Sequence, residues 1–280
     1  EGAKLENGVV RLPDGYAEAY AEYVEQGWNA IASPEEFGGQ GLPFTLACNV
    51  LENLGTANMA FNLLPMLSVG AIEALEHHGS EELQQKYLPD LVSGKWSGTM
   101  NLTEPQAGSD VGASTTKAVK NDDGTYQITG EKIFITSGHG KYHFVIARTE
   151  ETDPSDPTGG LNGLSMFLVK TYDDDENGNR NRVVQISRVE EKLGHHGSAT
   201  CGLVFDKAPA ELVGKRGEGF KYMLTLMNNA RVGVGFECLG LCESAHRAAL
   251  DYAAERASMG KSIDRHEMIA DYLETMQTEI

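Results

Sequence analysis

The chain has 280 residues, 40% of them hydrophobic and 23% charged, enough to bury one large core or two to three smaller ones. Its formal charge of −18 repels nucleic-acid phosphates and anionic membrane surfaces, and no basic patch is evident in the sequence to override that field, which argues against nucleic-acid binding. The opening EGAKLENGVV has no cationic segment ahead of an apolar run, and no uninterrupted apolar stretch of membrane-spanning length is evident, so a cytoplasmic chain or a processed organellar one is expected.

From about 14 to 95, apolar residues recur at helical spacing between turn signals at Ser33-Pro34, Gly38-Gly39 and Gly79-Ser80. Ser80, followed by Glu81 and Glu82 and backed by Leu83, Tyr87, Leu88 and Leu91, reads as the cap and first turn of an amphipathic helix. The pattern changes near Gly98. Segments 125–136, 143–148, 164–170, 182–189 and 202–206 are short, rich in β-branched and aromatic residues, and separated by turn signals such as Asp122-Asp123-Gly124. No helix-length pattern separates them, so an antiparallel sheet is expected rather than a parallel one with crossover helices. The stretches 150–162 and 172–181, the latter holding the acidic run Asp173, Asp174, Asp175 and Glu176, are expected to be mobile loops. Helical spacing returns after Gly219, with Phe220, Met223, Leu224, Met227, Val234, Cys238 and Leu241 on one broad stripe, and a further helix is expected from about Asp264. Its apolar residues Met268, Tyr272, Leu273 and Met276 have nothing downstream to cover them, and a chain shortened at its C-terminus is expected.

These elements predict an α+β multi-domain chain: an N-terminal helical domain (1–96), a central antiparallel β-barrel-like domain (97–212), and the start of an incomplete C-terminal helical bundle (213–280). Cys48, Cys201, Cys238 and Cys242 follow no disulfide or zinc spacing, and reduced structural thiols are expected, the close pair on a buried helix.

Two segments carry chemistry. Asn101-Leu-Thr-Glu-Pro-Gln-Ala-Gly-Ser-Asp110 is a loop entering the β-domain, with hydroxyls at Thr103 and Ser109, a rigid Pro105 and a permissive Gly108. Such a loop can aim backbone N–H groups at an anion or a ring carbonyl, though by itself it also reads as an ordinary turn. In Gly130-Glu-Lys-Ile-Phe-Ile-Thr-Ser137, Phe134 and Thr136 are two apart on a predicted strand and share a face. A ring beside a hydroxyl suits stacking on a flat heterocycle, or is simply a core Phe next to a surface Thr.

In this order and spacing the two segments resemble the acyl-CoA dehydrogenase family, whose signatures have the forms TEP-x-AGSD and G-x-K-x-[WF]-I-[TS]. The resemblance runs from about residue 14 to the end, through Glu191-Lys-Leu-Gly194, Ser198-x-Thr200, Val204-Phe-Asp206 and Arg256 to Gly260. Details such as GGQGLP at 38–43, ANMAF at 57–61 and NNARVGVG at 228–235 look most like the bacterial branch that includes 3-methylthiopropanoyl-CoA dehydrogenases.

The resemblance implies FAD as cofactor. Met100, Leu102, Thr103, Gly108 and Ser109 would line the flavin and its diphosphate, Phe134 would stack on the ring with Ile135 beside it, and Thr136 would reach the ring edge. Ser109, Ser198, Asn228 and Arg231 would contact the CoA thioester, although a structural salt bridge would also account for Arg231 beside Val232, Val234 and Phe236. Arg256, Ser258 and His266 match positions that contact the flavin of a neighbouring subunit, implying a homodimer or homotetramer; an exposed helix-start histidine is the alternative for His266. Met259 in place of the usual aromatic, and Glu267 in place of a frequent glutamine, depart from the pattern there. The other histidines, His77, His78, His139, His143, His195 and His196, are not at ligand spacing, and no metal is expected.

The implied reaction is α,β-dehydrogenation of an acyl-CoA to the trans-2-enoyl-CoA, with electrons passed to electron-transferring flavoprotein. Relatives that carry the base just before the arginine matching Arg231 differ from this chain, which has Ala230 there. The base is therefore expected beyond Ile280, and neither Glu237 nor Glu243 is expected to serve. An oxidase or monooxygenase reading, and a non-catalytic acyl-CoA-binding one, are the alternatives.

Overall fold

A computed structural model describes residues 1–151, 155–174 and 180–280, apart from the Asp174 side chain. The chain opens with a hairpin, β1 (Lys4–Glu6) and β2 (Val9–Arg11), turned by Asn7 and Gly8, both at positive φ. That pairing of residues is the ordinary chemistry of a tight hairpin and went unread in the helical assignment of the N-terminus. Helix α1 (Tyr16–Glu25) follows, then the long α2 (Phe44–His78) and α3 (Glu81–Val92). The Ser80 hydroxyl accepts from Leu83 N, the expected cap.

Helix α2 is two helices joined at Asn58, whose backbone leaves helical geometry while its side chain accepts from Phe61 N, so the second half restarts with its own cap. Pro65 removes the N–H that would serve the Phe61 carbonyl, and the Tyr16 hydroxyl donates to that carbonyl instead, tying α1 to α2. By length and hydropathy α2 could span a bilayer, contrary to the expectation that no stretch of the chain could. In the fold many of its apolar residues, from Leu51 to Leu75, are buried against the rest of the protein, and that packing accounts for its composition.

The β region comprises β3 (Gly98–Asn101), β4 (Lys117–Lys120), β5 (Tyr126–Thr136), β6 (Tyr142–Arg148), β7 (Leu164–Lys170), β10 (Val184–Val189) and β11 (Thr200–Val213) in one sheet, with a separate hairpin of β8 (Tyr172–Asp174) and β9 (Arg180–Arg182). Strand β11 pairs with β5, β5 with β4, β4 with β6, β6 with β7, and β7 again with β11, which closes a small barrel. Most pairs are antiparallel as predicted; β3 joins β6 in parallel, and β4 touches β6 in parallel through Lys117 and Arg148. The strands β3 and β4 were missed because four residues carry too little alternation to register. The stretch 172–181 is not simply a loop, since its ends form β8 and β9; 152–154 and 175–179, with Asp175 and Glu176 of the acidic run, lie outside the described residues.

Strands β6 and β7 are continuous apolar runs because both of their faces are covered. Phe144, Ile146, Met166 and Leu168 meet Leu75, Leu88 and Leu91 of the helical layer, while Val145, Ala147, Phe167 and Val169 fill the barrel with Ile128, Leu203 and Phe205.

Helix α4 (Gly219–Glu255) runs antiparallel to α2. The two approach closely: a Cβ at Gly233 would lie 2.6 Å from Met66 Cγ, and one at Gly240 2.5 Å from the Glu52 carbonyl. A two-residue hairpin, β12 (Ala257–Ser258) and β13 (Lys261–Ser262), and α5 (Glu267–Glu279) end the chain, the latter starting three residues later than Asp264 because a 3-10 turn intervenes. Cys48 and Cys201 are buried, but Cys238 and Cys242 are exposed, a correction to the expected buried pair: the apolar stripe of α4 is broader than the face α2 covers.

Candidate functional site

The two motifs lie side by side. Residues 102–110 leave β3 as a loop pinched by reciprocal backbone hydrogen bonds between Glu104 and Ala107, with Pro105 at the bend. Ile133 N donates to the Thr103 carbonyl at 2.9 Å, so the loop runs against β5 just ahead of Phe134. The side chains of Glu104 and Lys132 fasten the contact: Lys132 Nζ donates to Glu104 Oε1 at 2.8 Å and to the Leu102 carbonyl at 2.9 Å, with both side chains almost wholly buried, at 2% and 0% exposure. The carboxylate also accepts from Thr115 N, Thr116 N and Gln106 Nε2. Burial by itself would raise the Glu104 pKa; the Lys132 ammonium and these N–H donors outweigh it and hold the carboxyl at about 2. Nothing in the sequence marks these two residues as partners, though each member is a fixed position of its signature, one acidic and one basic.

Phe134 is the unusual residue of the site. It is 59% exposed and has φ of 57°, left-handed for a bulky side chain. The cause is a bulge: between the pairs Ile135–Cys201 and Lys132–Leu203, two residues of β5 face one of β11. Strand alternation is broken there, since Lys132 and Ile133 are both buried, and resumes with Phe134 exposed, Ile135 buried and Thr136 half-buried. Thr136 pairs with Thr200 at the start of β11, Ser137 N donates to the Ala199 carbonyl, and the Thr136 carbonyl accepts from Thr99 Oγ1. Ser198, buried, therefore stands near Thr136. Met100 and Thr103 are half-buried, Leu102 buried, and Gly108 and Ser109 exposed. A Cβ at Gly108 would meet only Thr103 Cγ2, at 3.8 Å, so the loop presents open space on that side.

A strand that projects an exposed aromatic ring from a strained bulge, beside an open loop with two hydroxyls, fits a planar heterocycle. The other predicted residues sit on α4 and beyond. Arg231 is exposed, donates to Asn228 Oδ1 at 2.6 Å, and forms no ion pair among the described residues, so the structural salt bridge is not what holds it. Arg256, Ser258 and His266 come together at the far end of α4, where His266 Nε2 donates to the Ser258 carbonyl at 3.0 Å. That end is about 40 Å along the helix from Asn228.

Models of the acyl-CoA dehydrogenase N-terminal, middle and C-terminal domains match residues 9–95, 99–208 and 217–280. The chain belongs to the acyl-CoA dehydrogenase family. It is 43% identical over 264 residues to the 3-methylmercaptopropionyl-CoA dehydrogenase of Ruegeria pomeroyi, covering 91% of this chain and 44% of that protein, in keeping with the bacterial branch its details suggested. A solved structure described as the electron transferring flavoprotein of Acidaminococcus fermentans is 31% identical, with a TM-score of 0.83, covering 94% of this chain and 67% of that one. The acyl-CoA dehydrogenase of Bacillus anthracis, solved with FAD, is 28% identical with a TM-score of 0.81, covering 94% and 43%. The acyl-CoA dehydrogenase fold thus accounts for the helical layer, the barrel and the long α4, and the chain spans less than half the length of the Ruegeria relative.

Proposed function

We propose that these residues form the FAD- and acyl-CoA-binding part of a cytoplasmic dehydrogenase that converts an acyl-CoA to its trans-2-enoyl-CoA and passes electrons to electron-transferring flavoprotein. The observation that carries the reading is the exposed, left-handed Phe134, set against the Thr103 loop by the buried Glu104–Lys132 pair. Phe134 would stack on the flavin ring, with Met100, Leu102 and Ile135 closing the apolar surround and Thr103 and Thr136 hydrogen-bonding its rim. Gly108 and Ser109 would meet the diphosphate, and Ser109, Ser198, Asn228 and Arg231 would hold the CoA thioester. The chemistry a bound flavin supplies is acceptance of a hydride from the β-carbon. The chain's own task is to position the thioester, exclude water and present donors where negative charge develops on its oxygen.

The α-proton acceptor is assigned to a carboxylate outside residues 1–280. Glu243 is tied to Arg247 at 2.9 Å, and Glu237 is sealed against α2 at Gly55. Arg256, Ser258 and His266 would complete the flavin site of a second copy, because they lie about 40 Å along α4 from Asn228, which would contact the thioester of their own chain.

The test is anaerobic titration of the full-length gene product with acyl-CoAs from short to long, including a thioether acyl group. Bleaching of a bound yellow flavin by one of them supports the proposal. A protein that purifies without flavin and binds none when it is added, or whose flavin stays yellow with every thioester, overturns it.

A further inference from the structure

Away from the flavin site, a cavity of about 290 Å³ opens between the start of β3 and the edge of the barrel where β6 and the β8–β9 hairpin meet. Its basic side chains are Lys95, His139, Lys141 and Arg182, and its aromatic walls include Trp96 and Tyr172. Among the described residues the lining contains no Asp or Glu, in a chain whose formal charge is −18. Lys141 Nζ lies between the two rings, 5.4 Å from the Trp96 centroid and 4.5 Å from that of Tyr172. Arg182 also lies over Tyr172 and donates to its hydroxyl through Nη2 at 2.6 Å. Neither Lys141 nor Arg182 has a carboxylate partner among the described residues; Lys95 has one, Asp90 at 3.0 Å.

Two nitrogens here are buried and without a hydrogen-bond partner among the described residues, Arg182 Nη1 and His139 Nδ1. Leaving a guanidinium N–H and a ring nitrogen unmade inside a protein costs about 1–3 kcal/mol each, a cost that an acceptor supplied from outside the chain would offset. We propose that this cavity is a phosphate-binding site. Donors converge from the segment before β3, the β5–β6 turn and β9, which suits a tetrahedral group with several acceptor oxygens better than a flat carboxylate with two. The aromatic rings hold Lys141 and Arg182 in place without neutralising them, which keeps their charge for the ligand. His139 is kept neutral, pushed down to about 4 by burial and by the nearby Lys141, and in its Nδ1–H tautomer it donates to the same group. The cluster escapes notice in the sequence because Lys95, Lys141 and Arg182 are distant in the chain and each sits in an unremarkable local setting. The proposal does not depend on flavin or acyl-CoA.

The probe is inorganic phosphate, titrated calorimetrically into the purified chain at fixed ionic strength. Saturable binding is expected, weakened about tenfold or more in Lys141→Gln and in Arg182→Gln. Lys141→Arg should retain it, as should Arg188→Gln, whose side chain pairs with Glu131 and Glu190 elsewhere on the barrel. Melting temperatures in the absence of phosphate separate lost binding from lost folding, and Lys141→Arg keeps the test sharp if the glutamine variants are unstable. Displacement of phosphate by adenosine 3′,5′-bisphosphate would assign the site to a nucleotide's phosphate, and binding without displacement to the free anion. Absence of saturable binding to the unmodified chain, or binding by both glutamine variants as tight as that of the unmodified chain, overturns the proposal.

Discussion

Glu237 offers the sharpest quantitative test of the helical layer. It is 1% exposed on the face of α4 that meets α2 at Gly55, and its Oε1 has no hydrogen-bond partner among the described residues. Burial, with no neighbouring charge contributing, pushes its carboxyl up to about 7. A folded-state pKa above the unfolded one means that the folded chain keeps a proton the unfolded chain loses between about pH 4.5 and 7, so this group lowers stability as pH rises through that window. Below pH 4.5 both states are protonated and the effect vanishes. A difference of about 2.5 pH units corresponds to about 3 kcal/mol, fully expressed above pH 7. Glu237→Gln removes the titration, so the variant should match the unmodified chain near pH 4.5 and exceed it by up to about 3 kcal/mol at pH 8.5. In urea unfolding followed by helical circular dichroism on the flavin-free chain, that is a midpoint shift of about 1 M at pH 8.5. A stability difference that stays constant from pH 4.5 to 8.5, or a variant less stable than the parent at pH 8.5, would show that burial does not govern this carboxyl.

Other perturbations probe the flavin loop and the far end of α4. Glu104→Gln should cost about 3–5 kcal/mol in urea unfolding because it leaves Lys132 buried and charged, and adding Lys132→Met should recover part of the loss; equal stability of the single variant and the parent would remove the pair from its structural role. The depressed Glu104 carboxyl contributes stability above its unfolded pKa that is lost as pH falls from about 4.5 toward 2, so the parent chain should show a steeper acid transition than the double variant. Phe134→Gly relieves a left-handed backbone at an exposed position, so flavin-free stability should change by no more than about 1 kcal/mol while FAD affinity, read by fluorescence quenching, falls about tenfold. Met259→Asn should stabilise the chain by roughly 0.5–1 kcal/mol in thermal melts, since Met259 and Gly260 both hold positive φ in a two-residue hairpin turn that favours Asn-Gly.

Local pattern was sufficient for much of the architecture. The Ser80 cap, the period of α3 and α4, and the apolar runs of β6 and β7 are properties of short segments, and the structure forms each where the pattern lies. The two signature segments likewise identified the family, because their residue order is visible without knowing where the chain goes. What the sequence could not settle depends on partners distant in the chain. The bulge at Phe134 exists only because β11 pairs with β5 one residue short, and the positive φ that exposes the ring follows from that register. Glu104 and Lys132 become a buried pair, and Lys95, Lys141 and Arg182 a cationic cavity, only when loops and strands far apart in the chain close around them. Burial and register are properties of assembled neighbours, whereas periodicity and capping belong to the segment itself, and that division separates what was legible in the chain from what the tertiary structure decided.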